Sequence, residues 1–449
     1  MSILFSNPPW WENRESRGFL KKKRWRRGVR AGSRWPFTYQ GRSAPDKPKT
    51  KDYMPYPYFL GYATTYASKN IGNKNVFFRD SIALSESYKS FFNYLETLKN
   101  KIEYFLIESA TPSWEHDYNL IKTIKEKYPK LKIIVAGPIS TSDQIWDSKI
   151  IHAVLKGEYE KNVMKILNGK EGLQEHDLLT LDEMNNSPYP YYDKNIFDKY
   201  FDGNPIPMNE LSPQAHILTS RGCPFKCIFC VWPAAMTGND PDGENKRSVR
   251  QYKPEYIEGF LDEITKKFKF EAIYLDDDTF NIGNKHTENI SKIVGKYKIP
   301  WFAMCRADTC RKETWKLMKD NGCQGVKIGI ESGSQYVVDK IVNKHLDLKY
   351  TQQTVSHLRD IGLSVHGTFT YGLPGETKEQ MLETKKFISE TKFNTVQESG
   401  TAEIEGTPLH TLNSKNLKSY PGANLNSEYD RQKDGGKKWQ SLVKSLQDN

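Results

Sequence analysis

Strand-like and helix-like segments alternate along this chain in two runs, and that alternation restricts the fold more than any other feature. The first run opens with an apolar segment at residues 3–7 that stops at Pro8-Pro9. A polar, basic stretch with turn and coil signals follows to about residue 55. Strands are then expected at Asn75–Phe78, Tyr104–Ile107, Lys132–Ala136 and His152–Leu155, with helices over Ser87–Leu98 and Tyr118–Lys127. Alternation of this kind demands a parallel, doubly wound, Rossmann-like sheet, whose ligands bind beyond the carboxyl ends of the strands. The second run places strands at His216–Ser220, Ala272–Leu275, Trp301–Met304, Gly325–Ile330, Ser364–Phe369 and Thr395–Gln397. Helices are expected over Glu255–Lys267, Thr287–Lys296, Glu313–Asn321, Gln335–Val342, Thr351–Asp360 and Lys378–Glu390. That makes six β/α units and a second core, which a chain of 449 residues has the length to bury.

The first strand of the second run delivers Thr219-Ser-Arg-Gly-Cys223-Pro-Phe-Lys-Cys227-Ile-Phe229-Cys230, a C-x3-C-x2-C loop. Three thiolates this close can hold three irons of a [4Fe–4S] cluster and leave the fourth open. A structural zinc ion wants four protein ligands, and no fourth Cys or His lies close by in the sequence. Cys305, Cys310 and Cys323 read as reduced thiols in or near the barrel wall.

Further groups fall at later strand ends: Asp276-Asp277-Asp278, Arg306, the run Gly329-Ile-Glu331-Ser332-Gly-Ser334, and Gly367-Thr-Phe-Thr-Tyr-Gly372-Leu-Pro-Gly375-Glu376-Thr377. The cysteine spacing and these motifs, in this order, closely resemble the radical S-adenosylmethionine (SAM) enzymes over residues 212–405. The resemblance implies a partial (β/α)6 barrel with its site at the carboxyl ends of the strands. It implies Cys223, Cys227 and Cys230 as cluster ligands and Phe229 against the adenine. Asp276 or Asp277 would receive the SAM α-ammonium group, and Arg306 its carboxylate. Glu331 and Ser332 would face the ribose or methionyl part, and Gly372 and Glu376 belong to the adenine-contacting stretch.

The first run resembles the cobalamin-binding domain often fused to such barrels. This likeness covers residues 1–170 and rests on Asn7-Pro8-Pro9, Gly137-Pro138 and Gly157-Glu158-Tyr-Glu160 after successive strands. It implies Pro8, Ser109, Thr111, Gly137, Pro138, Gly157 and Glu158 as cobalamin-binding residues. The Asp-x-His-x-x-Gly motif that ligates cobalt in mutases is absent, and His116 is the nearest candidate by loop position. The alternative is a Rossmann-like domain that only supports the barrel. Residues 171–211 read as an extended linker and 406–449 as a polar, lysine-rich tail.

The resemblance implies a cobalamin-dependent radical SAM enzyme using a [4Fe–4S] cluster, SAM and cobalamin. Methyl transfer to an unactivated carbon through a 5′-deoxyadenosyl radical and methylcobalamin is the leading expectation. Cyclisation, rearrangement and RNA modification are the alternatives. The lack of any cysteine before Cys223 argues against a methylthiotransferase-like enzyme.

The net charge of +11 tilts the expected small-molecule substrate towards an anion. Much of the excess lies in Lys21-Lys-Lys-Arg-Trp25-Arg-Arg27 and on to Arg30, Arg34 and Trp35, read as a solvated arm ahead of a nucleic-acid or lipid surface. An external electron donor of flavodoxin or ferredoxin type is implied. No apolar run reaches the roughly 20 residues of a spanning helix, so the expected location is the cytoplasm.

Overall fold

The computed structural model describes residues 1–15, 23–29, 44–47, 51, 53–142, 145–147, 149–231, 235, 236, 238, 249–401 and 407–410. Two compact units form, one of Met1–Phe201 with Ala234–Gly238 and one of Asp202–Pro233 with Asn239–Asn449.

The first unit runs β1 (Ile3–Asn7), β2 (Trp11–Glu15), β3 (Lys23–Arg27), α1 (Tyr58–Ile71), β4 (Val76–Asp80), α2 (Tyr88–Leu98), β5 (Tyr104–Glu108), α3 (Trp114–Lys127), β6 (Lys132–Ala136), β7 (Ala153–Leu155), α4 (Tyr159–Leu167), β8 (Gly172–Gln174) and α5 (Leu181–Asn186). Its main sheet is parallel in the order β4-β1-β5-β6-β7-β8. The chain leaves β1 for β4 on one side and returns to β5 on the other. That reversal puts the switch point at the carboxyl ends of β1 and β5. Helix α2 shows why the faces pack: Ser87 caps it by accepting from the Ser90 amide at 3.1 Å. Phe91, Leu95 and Leu98 then fall on one stripe, buried with Phe105, Ile133 and Val135 of the sheet. Each such side chain contributes roughly 1.5–3 kcal/mol by leaving water.

Three features depart from the sequence expectation. The basic stretch is not coil throughout, because β2 and β3 form an antiparallel pair. Arg27 is buried, and its Nη1 donates to Ile82 O at 3.0 Å and Ser85 Oγ at 2.6 Å. Lys21, Lys22, Arg30, Arg34 and Trp35 lie outside the described residues. Helix α1 gave no periodic signal because it is apolar on nearly every side, with Tyr58, Phe59, Leu60, Tyr62, Ala63 and Ala67 buried. Residues 171–211 are not an extended crossing. They supply the edge strand β8, and α5 with its Thr180–Glu183 capping box. Residues 202–211 belong to the second unit.

The second unit contains β9 (Gln214–Ile217), β10 (Ser220–Arg221), β11 (Arg250–Gln251), α6 (Pro254–Lys267), β12 (Ala272–Leu275), α7 (Asn284–Lys296), β13 (Trp301–Cys305), α8 (Lys312–Asp320), β14 (Cys323–Glu331), α9 (Leu348–Asp360), β15 (Ser364–Tyr371), α10 (Lys378–Thr391) and β16 (Thr395–Gly400). Its parallel sheet runs β9-β12-β13-β14-β15-β16, each strand beside its predecessor, as in a partial (β/α)6 barrel. The helix expected over Gln335–Val342 is a π-helical turn at Val337–Ile341. Left-handed Asn343 (φ 58°) and His345 (φ 51°) stop it. Residues 202–211 fill the amino end of the concave face. There Gln214 holds the Asp202 amide at 2.8 Å and lies 3.0–3.2 Å from the carbonyls of Asp202, Met208 and Leu211. Met208 packs on Ala272, Tyr274 and Phe302. Asp202 pairs with Lys327 of β14. Of the tail, only residues 407–410 are described, and Leu409 is buried. Among the described residues, no helix is long and apolar enough to cross a membrane.

Candidate active site

The cysteine loop is held from below and from the side. At the end of β12, Asp277 accepts from the Thr219 amide (2.9 Å), Thr219 Oγ1 (3.0 Å) and Ser220 Oγ (2.6 Å). With that hydroxyl proton spent on Asp277, His286 Nε2, 3.1 Å away, donates to Thr219 Oγ1. On the other side the Ile228 amide donates to Val342 O at 2.9 Å, the Leu409 amide to Ile228 O at 3.0 Å, and Asn343 Nδ2 to Lys226 O at 3.3 Å. Cys227 and Phe229 pack on an apolar cluster of Ile228, Val337, Val342, Leu373 and Leu409.

None of the six cysteines is in a disulfide, and the three in the loop are half-buried. Cys223 Sγ lies 3.7 Å from Thr279 Oγ1. Burial, reinforced by the Asp278 charge, pushes its thiol up to about 11. A thiolate therefore forms there together with a cation, as it does when a metal is bound. Among the described residues, no three His, Cys, Asp or Glu side chains already surround a point the size of a single ion. Three thiols on one loop are the donor set for a cluster in which each sulfur takes a different iron.

Beside the loop stands a buried charge network that the sequence reading caught only in part. Arg306 was expected to offer its fork to a ligand carboxylate. Its Nε and Nη2 instead hold Asp308 at 2.6 and 3.0 Å, and Nη2 reaches the carbonyls of Lys344 and His345 at 2.7 and 2.9 Å. Its guanidinium carbon sits 3.8 Å from the centre of the Phe225 ring, inside the cysteine loop. Among the described residues, Nη1 is left buried without a partner. Glu331 ends β14 in a left-handed conformation (φ 76°) and pairs with Lys344 at 3.0 Å, while Thr370 Oγ1 donates to it at 3.1 Å. Burial opposes the charge on Lys344, but Glu331 and Cys227 more than offset this and raise its pKa. Lys344 was missed because its loop belongs to no periodic element.

Three further expected residues follow the carboxyl ends of β12, β14 and β15. Ser332 is occupied elsewhere: its hydroxyl pairs with Thr384 of α10 at 3.0 Å. Asp276 is buried at the end of β12. Glu376 folds back on its own turn, where Oε2 accepts from the Gly372 amide (2.8 Å) and the Leu373 amide (3.2 Å). Its Oε1 is buried without a partner. Burial lifts this carboxyl to about 7. The folded state thus binds its proton more tightly than the unfolded chain. The stability contributed is full below the usual glutamate value of 4.5 and is lost as pH rises to about 7. The ceiling is roughly 3 kcal/mol. Glu376→Gln should remove this slope, and melting curves across that window compare the two proteins. An unchanged slope in the variant would show that Glu376 is not its source.

In the first unit the expected residues do lie at strand ends. Pro8 follows β1, Ser109 follows β5, Thr111 opens the turn before α3, Gly137-Pro138 follow β6 and Gly157-Glu158 follow β7. The chain itself accounts for several of them. A side chain on Gly137 (φ 101°) would strike the Ser109 carbonyl, and one on Gly157 (φ 80°) would come within 2.7 Å of His176. Ser109 Oγ donates to Asp117 at 2.6 Å, and Glu158 accepts from the Leu179 amide at 3.2 Å. His116, half-buried on the first turn of α3, lies 5.9 Å from the Trp10 ring. The sequence reading missed two buried carboxylates at the switch point, although each is the last residue of its strand. Asp80 accepts from Asn7 Nδ2 (3.1 Å) and Tyr200 OH (3.2 Å), and burial raises it to about 6. Glu108 accepts from Tyr159 OH at 2.8 Å. Ser6 Oγ on β1 and Ser140 Oγ beyond Gly137-Pro138 are buried without partners.

Residues 217–388 match the Radical SAM superfamily. The chain is 26% identical over 329 residues to an uncharacterized methyltransferase of Pyrococcus horikoshii, covering 67% of each chain. It is 25% identical over 244 residues to the cytidylyl-2-hydroxyethylphosphonate methyltransferase of Streptomyces wedmorensis, covering 51% of this chain and 43% of that one. It thus spans 43% to 67% of the length of these relatives. The radical S-adenosylmethionine methyltransferase TsrM of Kitasatospora setae, solved with cobalamin and a [4Fe-4S] cluster bound, shares the fold. The TM-score is 0.58 at 14% identity, over 77% of this chain and 73% of that one. Residues 217–388, within the second unit, are therefore a radical SAM domain, and the chain is an enzyme.

Proposed function

We propose that this enzyme is cobalamin-dependent and transfers a methyl group to an unactivated carbon of a small molecule. The supporting observation is that the likeness to TsrM extends well beyond residues 217–388, so that it takes in the doubly wound first unit. Cys223, Cys227 and Cys230 would hold the cluster. Asp276, Phe229 and the Gly372-Leu373 turn would line the SAM site, with the one unpartnered nitrogen of Arg306 facing its carboxylate. In the first unit, the orphaned hydroxyls of Ser6 and Ser140, at carboxyl strand ends, suit a polar ligand at the switch point. The two glycines do not add to that case, because the chain fills their space. When bound, the cluster with SAM supplies a 5′-deoxyadenosyl radical, and cobalamin supplies the methyl group.

The chain's own part is to fix and insulate. Asp277 pins the start of the cysteine loop, and the Lys344 and Arg306 charges lie close to it, where a polyanionic cluster gains from them. Asp277 and Ser332 thus position the site from behind. A one-electron donor from outside is required, and six cysteines outside any disulfide suit a reducing cytoplasm.

The test is anaerobic reconstitution with iron, sulfide and hydroxocobalamin, followed by desalting and a visible spectrum. About one cobalamin should be retained per chain beside the cluster. A cluster without retained cobalamin would sink the methyl-donor reading and leave the first unit as a scaffold.

A further inference from the structure

Inward positions of parallel barrels are ordinarily packed with branched aliphatics. On the concave face of this domain they are not. The half built by β14, β15 and β16 presents Lys327, Gly329, His366, Thr368, Gln397 and Ser399. The facing half presents Tyr274 stacked on Phe302, with ring centres 4.3 Å apart, and Met304 beside them.

This face is layered along the strands. At its base, Lys327 pairs with Asp202 and lies 4.8 Å from the centre of the Tyr274 ring. His366, opposite Lys327, bonds Thr395 Oγ1 at 2.8 Å through Nδ1. Burial chiefly, then Lys327, holds it down to about 4, so it is uncharged near neutrality. At the top lie the Lys344–Glu331 pair and the cysteine loop. Between them runs one row in register, Gly329, Thr368 and Gln397, in which the space over Gly329 is already taken by the Glu331 carboxylate and the Lys344 ammonium. Gly329 and Gln397 are half-buried. Thr368 is only 6% exposed; among the described residues its hydroxyl makes no hydrogen bond, and it is not sealed from solvent. A hydroxyl that keeps a free bonding site on an otherwise buried residue is open to a ligand group.

The charges decide which group. Lys327 is matched by Asp202, Lys344 by Glu331 and Arg306 by Asp308. No cation of this wall is left over, so an anion placed here would lose its hydration without a counter-charge. We propose that Thr368 and Gln397 form the substrate-binding wall and take an uncharged hydrogen-bonding group, such as an amide or hydroxyl, carried on an apolar body that lies against Tyr274, Phe302 and Met304. The excess of +11 over the whole chain is therefore not a guide to the substrate. The inference rests on the proposed function in taking this face as the place of reaction.

Radiolabelled benzamide and benzoate, alike in shape and differing in charge, are the probes. Equilibrium dialysis is run against the full chain, both reconstituted and without cofactors. Benzamide should bind saturably at millimolar concentration and at least about fivefold more tightly than benzoate. Thr368→Val should weaken benzamide by about two- to tenfold. Asp202→Asn frees the Lys327 charge and should shift preference towards benzoate. Circular dichroism melts confirm that each variant folds, and the Thr368→Val result decides if Asp202→Asn does not. No saturable benzamide binding, equal or tighter benzoate binding in the parent chain, or indifference of benzamide to Thr368→Val overturns the inference. Binding that persists without cofactors keeps this result separate from any failure of the cobalamin reading.

Discussion

Replacing Cys223, Cys227 or Cys230 singly by Ala will lower bound iron and sulfide after reconstitution by at least about tenfold, while leaving bound cobalamin unchanged. The effect is this large because each thiolate is the sole protein ligand of one iron, so a single loss exposes a second iron to solvent and exchange. The fold should persist without the metal. The loop is tied by Asp277 to Thr219 and Ser220 and by Ile228 to Val342, and none of these bonds uses a cysteine. Melting of the unreconstituted variants should therefore match that of the unreconstituted parent. Cys305, Cys310 and Cys323 are the controls. All are buried, and Cys310 and Cys323 spend their thiols on the carbonyls of Asn281 and Gly325, each at 3.4 Å. Their Ala variants should bind iron like the parent. Full iron in the Cys227→Ala protein, or its loss in the Cys310→Ala protein, would falsify the ligand assignment.

Lys344→Met should destabilise the second unit by about 3–5 kcal/mol, the cost of leaving a buried carboxylate alone. Lys344 and Glu331 are 11% and 7% exposed, so water screens the pair little. Thr370 stays as the one hydroxyl donor to Glu331 and offsets only part of the loss. Adding Glu331→Met to Lys344→Met should recover most of the stability, since two apolar side chains leave no orphaned charge. Urea unfolding of the parent, both single variants and the double variant closes the cycle. Additive losses would mean that the two side chains act separately, and the network beside the cysteine loop would need another explanation.

The sequence carried the architecture well where burial writes a period into it. The central parallel strands were legible as short, near-continuous apolar runs buried on both faces, and the amphipathic α2, α6 and α10 because one face meets a core and the other water. Helix α1 was not, because apolar side chains surround it, and β8 was not, because an exposed edge strand of three residues has no face to mark. The cysteine spacing is local and so could be read directly. Glu331 meets Lys344 thirteen residues on, from a loop with no period, and although Asp308 stands only two residues from Arg306, nothing in that spacing shows its carboxylate turned back onto the guanidinium. Gly137 shows the opposite error. Its smallness invites a ligand, but the Ser109 backbone demands it first.

Residues 202–211 make the catalytic domain a blind-ended well. With Pro205 against Gly325, Met208 under Tyr274 and Asp202 fastened to Lys327, traffic through the amino end of the concave face is closed. A molecule resting beside Thr368 therefore comes and goes past the cysteine loop or through the side of the sheet, where β9 and β16 are unpaired edges among the described residues, and not from below.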